Sequence, residues 1–210
     1  EDNLTINYSK KTAIVSFALF SLILIASYAL SQNNPAMNIA AIFYKAGSLV
    51  FGGGHVVLPL LEEAIVDNQL ISQTNFLAGY GASQAIPGPM FAFSAYLGTL
   101  IPTTLSPVIG AAIAVIFMFL PGFLLIIAVL PFWQDISRNF GARKAIAGIN
   151  AAVVGVLAAA LYDPIFTSGI TSNTDLAIVV AAFGLLNVLK KSPLIAVIWC
   201  VAASIFASLI

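Results

Sequence analysis

The sequence is poor in charge: only 8% of its 210 residues are Asp, Glu, Lys or Arg, against roughly 25% in an ordinary soluble domain. Eight Lys plus Arg are balanced by eight Asp plus Glu. With no basic excess there is no stripe to neutralise phosphates, which excludes nucleic-acid binding. A single cysteine, Cys200, rules out an intrachain disulfide, and a single histidine, His55, leaves too few ligands for a zinc site of the usual spacing. The chain lacks a dinucleotide fingerprint, a phosphate-binding Walker loop and a serine elbow. One His and one Cys supply neither a metal set nor a nucleophile with its base, so no enzyme activity and no cofactor are expected.

What is present is apolar. Hydrophobic residues make up 60% of the chain and mean hydropathy is +1.04, which excludes a soluble enzyme and reads as an all-α, polytopic integral membrane protein. A bilayer core takes about 20 apolar residues in helix. Thr12 to Leu30 meets this without a charge, after a polar segment at 1–11. It is also long for a signal peptide. Further spans are expected at Pro107 to Leu130, Ala145 to Leu161, Leu176 to Leu189 and Leu194 to Ile210, so that 12–210 forms one transmembrane region.

Between these spans lie two segments, 35–61 and 76–101, that are apolar but interrupted by glycine and proline. The positive residues Lys10 and Lys11, then Arg138, Arg143 and Lys144, then Lys190 and Lys191 mark cytoplasmic connections, and Asp163 and Asp175 an external one. That pattern is met if both interrupted segments cross the membrane. It is met equally if both are re-entrant hairpins, but not if only one is.

In the first interrupted segment Gly52, Gly53 and Gly54 precede His55. Each glycine costs a helix about 1 kcal/mol relative to alanine, so the helix is expected to stop there and resume with Pro59 in or near its first turn. In the second segment Pro87 pushes Ile86 out of helical geometry, which ends a helix near Gln84, and Pro89 suits the first position of a new one. Each restart points unpaired N–H groups and the positive end of a half-helix into the break. Two such ends facing one another make an anion site, to which Ser83 and Gln84 add side-chain donors. Irregular backbone at membrane depth must be buried in protein or line a wet cavity, and paired discontinuous helices are the best pointer to a transporter's binding site. Packing glycines and simple kinks are the structural alternative, preferred for Phe119-Leu120-Pro121-Gly122-Phe123.

Lys45 stands two helical turns before Gly52, on the same face as the break, and either attracts an anion or snorkels to a membrane surface. His55 either donates to an oxyanion, changes charge near neutral pH, or packs. Glu62 and Glu63 follow by two turns, as proton carriers or, preferably, as solvated loop charges. Asn150 is the one strongly polar residue of its span, suited to interhelical bonding or to substrate contact.

The run Phe51-Gly52-Gly53-Gly54-His55-Val56-Val57-Leu58-Pro59, together with Ser83-Gln84-Ala85-Ile86-Pro87-Gly88-Pro89-Met90-Phe91 and Tyr96-Leu97-Gly98, resembles the chromate transporter (CHR) family. Leu130-Pro131-Phe132-Trp133, Gly148 to Gly155 and Ala160 to Pro164 resemble its later segment. The resemblance implies a multi-pass carrier of the inner (plasma) membrane that exports chromate, a tetrahedral dianion similar to sulfate. It also implies two homologous halves of opposite orientation. One copy of each motif after a polar opening looks like the second half, which needs a fused first half, a partner subunit or a homodimer mate besides membrane lipid. The substrate-binding residues expected are Lys45, Gly52, Gly53, Gly54, His55, Ser83, Gln84, Pro87, Gly88, Pro89 and Asn150. His55 and Glu62 are the candidates for proton coupling. The alternatives are a carrier or channel for another oxyanion such as sulfate, and a non-transporting membrane subunit.

Overall fold

A computed structural model of the chain describes residues 8–29, 34–50 and 57–208, and these fold into helices joined by turns, with no strand among them. The elements are α1 (Lys10–Ala29), α2 (Pro35–Ser48), α3 (Val57–Ile65), α4 (Gln73–Ser83), α5 (Pro89–Leu100), α6 (Pro107–Val129), α7 (Trp133–Arg138), α8 (Phe140–Ala160), the one-turn α9 (Thr167–Gly169), α10 (Asn173–Asn187) and α11 (Pro193–Ser208). Three helical stretches are long and apolar enough to cross a membrane: Lys10–Ala29, Pro107–Phe132 and Phe140–Gly169. Shorter apolar helices follow at Asn173–Asn187 and Pro193–Ala207. The protein is thus an all-α membrane protein with discontinuous helices.

Local sequence explains most of the helix ends. Proline opens α2, α5 and α6 at their first positions, where its missing N–H costs nothing. Asn34, Ser72, Asn139 and Ser172 cap α2, α4, α8 and α10 by accepting backbone N–H bonds. At the start of α10 the cap is reciprocal, because the Asp175 carboxylate accepts the Ser172 N–H at 2.9 Å while Ser172 Oγ accepts the Asp175 N–H at 3.1 Å.

The hub is α6, a continuous 23-residue helix despite the internal Pro121, as expected of a simple kink site. Three helices lie along it, and their side-chain contacts fix direction and depth. Antiparallel to it runs α1: Ser16 Oγ donates to the Leu124 carbonyl and Tyr8 Oη to that of Ile127, each at 2.9 Å. The Lys10 ammonium lies 5.8 Å from the centre of the Phe132 ring. Lys10 and the chain around Phe132 therefore share one end of the molecule, as the positive-charge pattern requires.

Parallel to α6 runs α2. Near its start Ile39 approaches Gly110, and near its end Gly47 lies against the Met118 carbonyl and the Pro121 ring so closely that a Cβ would collide with both. Met118 is the twelfth of the 23 residues of α6, so α2 stops halfway along it. Tyr44, fully buried, joins the three helices by donating to the Phe20 carbonyl at 3.1 Å and meeting the Phe117 ring edge-on at 6.3 Å.

Antiparallel to α6, α5 also occupies only half of it. Phe91 stacks on Phe119 with ring centroids 4.0 Å apart, and Gly98 packs against Gly110, Ala111 and Ala114. Against α5, α4 runs in reverse: Tyr96 Oη donates to the Asn75 carbonyl at 3.0 Å, and Phe93 meets Phe76 and Tyr80 edge-on at 5.2 and 5.6 Å. Helices α4 and α5 thus form a hairpin whose turn, 84–88, lies at the depth of Phe119. The entrance of α2, the exit of α3 and the exit of α5 meet at a single cavity lined by Asn34, Pro35, Asn68, Leu70 and Pro102, so α2 and α3 fold back in the same way. Both interrupted segments thus fold back along α6, with their open ends at the end of the molecule opposite Lys10.

The core sits where the hairpins meet α6: Ile39, Phe43, Val57, Leu58, Leu61, Ile65, Phe76, Phe93, Leu97 and Met118 are buried together. Beyond it the remaining helices are loosely covered. Among them α10 and α11 pair through Trp199 Nε1, which donates to the Ile178 carbonyl at 3.3 Å.

Candidate functional site

Two broken helices reach the middle of α6 from one side. Helix α4 ends at Ser83 and α5 begins at Pro89, within a residue of the positions that Pro87 and Pro89 predict. Gly88 takes φ +79°, the left-handed region that favours glycine, and it turns the chain so that the start of α5 faces the break. No side chain caps that start. Helix α3 is described from Val57, with Pro59 near that end, and the residues just before it lie outside the described part. Gly52, Gly53, Gly54 and His55 lie outside the described residues.

Ile86, Pro87 and Gly88 are exposed while Gln84, Ala85 and Pro89 are half-buried, so the α4–α5 turn presents open backbone beside the centre of a membrane-length helix. Ser83 is buried, and its hydroxyl donates to the Tyr80 carbonyl at 2.7 Å. It reaches a ligand as a donor only by releasing that bond. On the core side of α5, Ser94 Oγ is fully buried and has no hydrogen-bond partner among the described residues, an arrangement that costs about 1–3 kcal/mol.

Lys45 occupies the last turn of α2, where its charge offsets the negative end of that helix at the break. Its side chain turns away from the break, however. The ammonium stands 4.1 Å from the centre of the Tyr28 ring, in the cavity between α2 and α3. That direction follows from helix geometry, because long side chains lean toward the N-terminus of their own helix.

Glu62 follows the apolar segment 35–61, at the hairpin's outer end. Its carboxylate accepts a hydrogen bond from Gln73 Nε2 at 2.6 Å, and Gln73 reaches Ser168 Oγ at 3.5 Å. Burial raises the Glu62 carboxyl above its ordinary value, opposed by the Gln73 amide and reinforced by Asp163 and Asp67. Glu63, Asp67 and Asp163 line a polar cavity of about 290 Å³ with it. Glu62 thus stands at a mouth of the structure rather than at the breaks. Asn150 is exposed on α8, a helix that packs chiefly on the chain just before and after it, so the structure does not bring Asn150 to the hairpin turns. Tyr28, Asn38 and Glu63, which line the α2–α3 cavity with Lys45, were not singled out for the anion in the sequence. The signal was there: Asn34, Asn38 and Lys45 recur at four and seven residues, one stripe of a helix.

Broken half-helices packed against the middle of a long apolar helix are the arrangement in which membrane proteins can hold irregular backbone at depth. The chain belongs to the chromate transporter family, whose model matches residues 37–207. It is 28% identical over 157 residues to a probable chromate transport protein of Synechococcus elongatus, covering 74% of this chain and 39% of that one. It is 27% identical over 119 residues to a chromate transport protein of Pseudomonas aeruginosa, covering 57% and 28%. It is 30% identical over 132 residues to the uncharacterized transporter YwrB of Bacillus subtilis, covering 62% and 63%. The aligned region thus spans well under half of the chromate transport proteins it matches. No solved structure matches the chain.

Proposed function

We propose that the chain is the anion-handling half of a secondary transporter that exports chromate, or a similar tetrahedral oxyanion, across the plasma membrane. The observation that carries this reading is the meeting of both hairpins with α6 at one depth, Gly47 at Met118 and Phe91 at Phe119. This supports a reading in which the N-terminal end of α5, together with the glycine motif that precedes α3, offers N–H groups and partial positive charge to an anion that needs several donors and little else. Lys45, Gly52, Gly53, Gly54, His55, Ser83, Gln84, Pro87, Gly88 and Pro89 are the residues proposed to serve it. Ser94 offers a further hydroxyl that a loaded or closed state can engage.

In the membrane we place Lys10, Lys11, Arg138, Arg143, Lys144, Lys190 and Lys191 on the cytoplasmic side. That gives five crossings, by α1, α6, α8, α10 and α11, and two hairpins dipping in from outside. Because the exposed turn 84–88 cannot face lipid with free backbone, a second body is proposed to cover it: a homologous first half, a partner subunit or a homodimer mate. Export of a dianion from a cell that is negative inside is favoured by about 4.6 kcal/mol per 100 mV, twice the single-charge value, so facilitated efflux and proton-linked exchange both suffice energetically.

Chromate is expected to raise the melting temperature of the purified chain in a concentration-dependent manner by mass action, with sulfate competing if the site reads tetrahedral shape alone. A melting curve indifferent to either anion would instead support a scaffolding subunit. For coupling, the His55→Ala chain is expected to lose an inflection near neutral pH in its transport profile, and Glu62→Gln to lose one on the acidic side. If either profile overlays that of the parent, the residue concerned is structural.

A further inference from the structure

We propose that the cavity between α2 and α3 is an outer docking site for the oxyanion, in which the Tyr28 ring holds the Lys45 ammonium in place of the anion until one arrives. The inference rests on the transport reading above and adds a second station to it, on the way between the outer end and the break.

The cavity has a volume of about 950 Å³, ample for a hydrated tetrahedral anion. One wall is a stripe of α2: Asn34 and Asn38 near the mouth, Lys45 deeper, and Leu49 at the edge of the break. Among the described residues the donors on this wall are unengaged. Asn34 uses only its oxygen, accepting the Ala36 N–H at 2.9 Å, which leaves its amide hydrogens available. The Asn38 side chain is half-buried and has no hydrogen-bond partner among the described residues. No carboxylate pairs with Lys45 there either, and its sole described partner is the face of Tyr28 at 4.1 Å. The other wall differs. Asn68 Nδ2 is committed to the Glu63 and Ala64 carbonyls, both at 3.1 Å, and Glu63 presents a carboxylate.

A cation–π contact to an exposed ring is a weak partner for an ammonium, and an oxyanion replaces it with charge-assisted hydrogen bonds. Tyr28 is itself exposed, so yielding its place costs little packing. The Glu63 carboxylate opposite repels a dianion and keeps occupancy brief, as a passage demands: binding strong enough to enter and weak enough to leave.

The test reads Lys45 directly. In the full chain carrying ¹³Cε-lysine, the Lys45 resonance, assigned by its loss in Lys45→Arg, is expected to show the ring-current shift of Tyr28. Titration with chromate is expected to move it to the ordinary lysine position. In Tyr28→Leu the resonance starts unshifted, and the anion's half-titration point falls by about two- to fivefold, the release of a surface cation–π contact. Tyr28→Phe, which keeps the ring, titrates like the parent. If chromate stabilises the parent against heat but leaves the Lys45 resonance unmoved, this docking site is wrong and the break alone binds. An equal half-titration point in Tyr28→Leu and the parent sinks the place-holding role. If chromate neither stabilises the chain nor moves the resonance, the transport reading falls with it.

Discussion

Chromate transport is expected to drop to background in Pro87→Ala and in Gly53→Leu, with both chains still inserted in the membrane at parental levels. In Pro87→Ala the new N–H and the loss of the constraint on Ile86 allow α4 to run past Ser83, so the turn that aims α5 at mid-depth is lost. The surrounding core barely notices, because Ile86, Pro87 and Gly88 are exposed and pack against little. Gly53→Leu acts on the other interrupted segment by placing a bulky side chain within the three glycines proposed to meet the anion. Measured as chromate flux in vesicles, with insertion checked by protease protection, parental flux in the Gly53→Leu chain would remove the proposed site. Gly88→Leu should fail similarly, since a side chain at φ +79° costs about 1–2 kcal/mol and sits 3.3 Å from the Phe91 ring.

The second large effect is on stability. A Cβ at Gly98 would stand 2.6 Å from the Gly110 carbonyl oxygen, 2.7 Å from Ala114 Cβ and 2.9 Å from Ala111 Cα. These are backbone and stub atoms with no rotamer to yield, so α5 and α6 must separate. Gly98→Leu is expected to cost about 3 kcal/mol or more, a large share of the roughly 5–15 kcal/mol that holds a domain together. It should appear as a markedly lower melting temperature and as aggregation on size-exclusion chromatography. Gly81→Ala is the matched control, because nothing lies within 4 Å of a Cβ there. Equal melting of Gly98→Leu and the parent would mean that the α5–α6 contact is not as described.

Helix ends were the most legible feature of the sequence, because proline and glycine act on their immediate neighbours. Pro89 opens α5, and Pro87 stops α4 within a residue of Gln84. Whether the interrupted segments cross or turn back was not legible, since two crossings and two hairpins leave every charged connection on the same side. The decision lies in contacts between distant residues, Tyr96 with Asn75 and Gly98 with Gly110. Lys45 shows the same limit on a smaller scale. Its spacing from Gly52 identified a helix face but not the axial lean of the side chain, which carries the charge to Tyr28. Asn150 was picked out by polarity alone, and polarity does not report which way an isolated membrane helix is turned.

The contact between Gly98 and Gly110 has a mechanical consequence. With two backbones touching and no side chain between them, the root of the α4–α5 arm is clamped to α6, whereas its elbow is held mainly by the Phe91–Phe119 stack. About 14 Å of helix separates Gly98 from Pro89, so where the elbow lies depends on a contact well away from it.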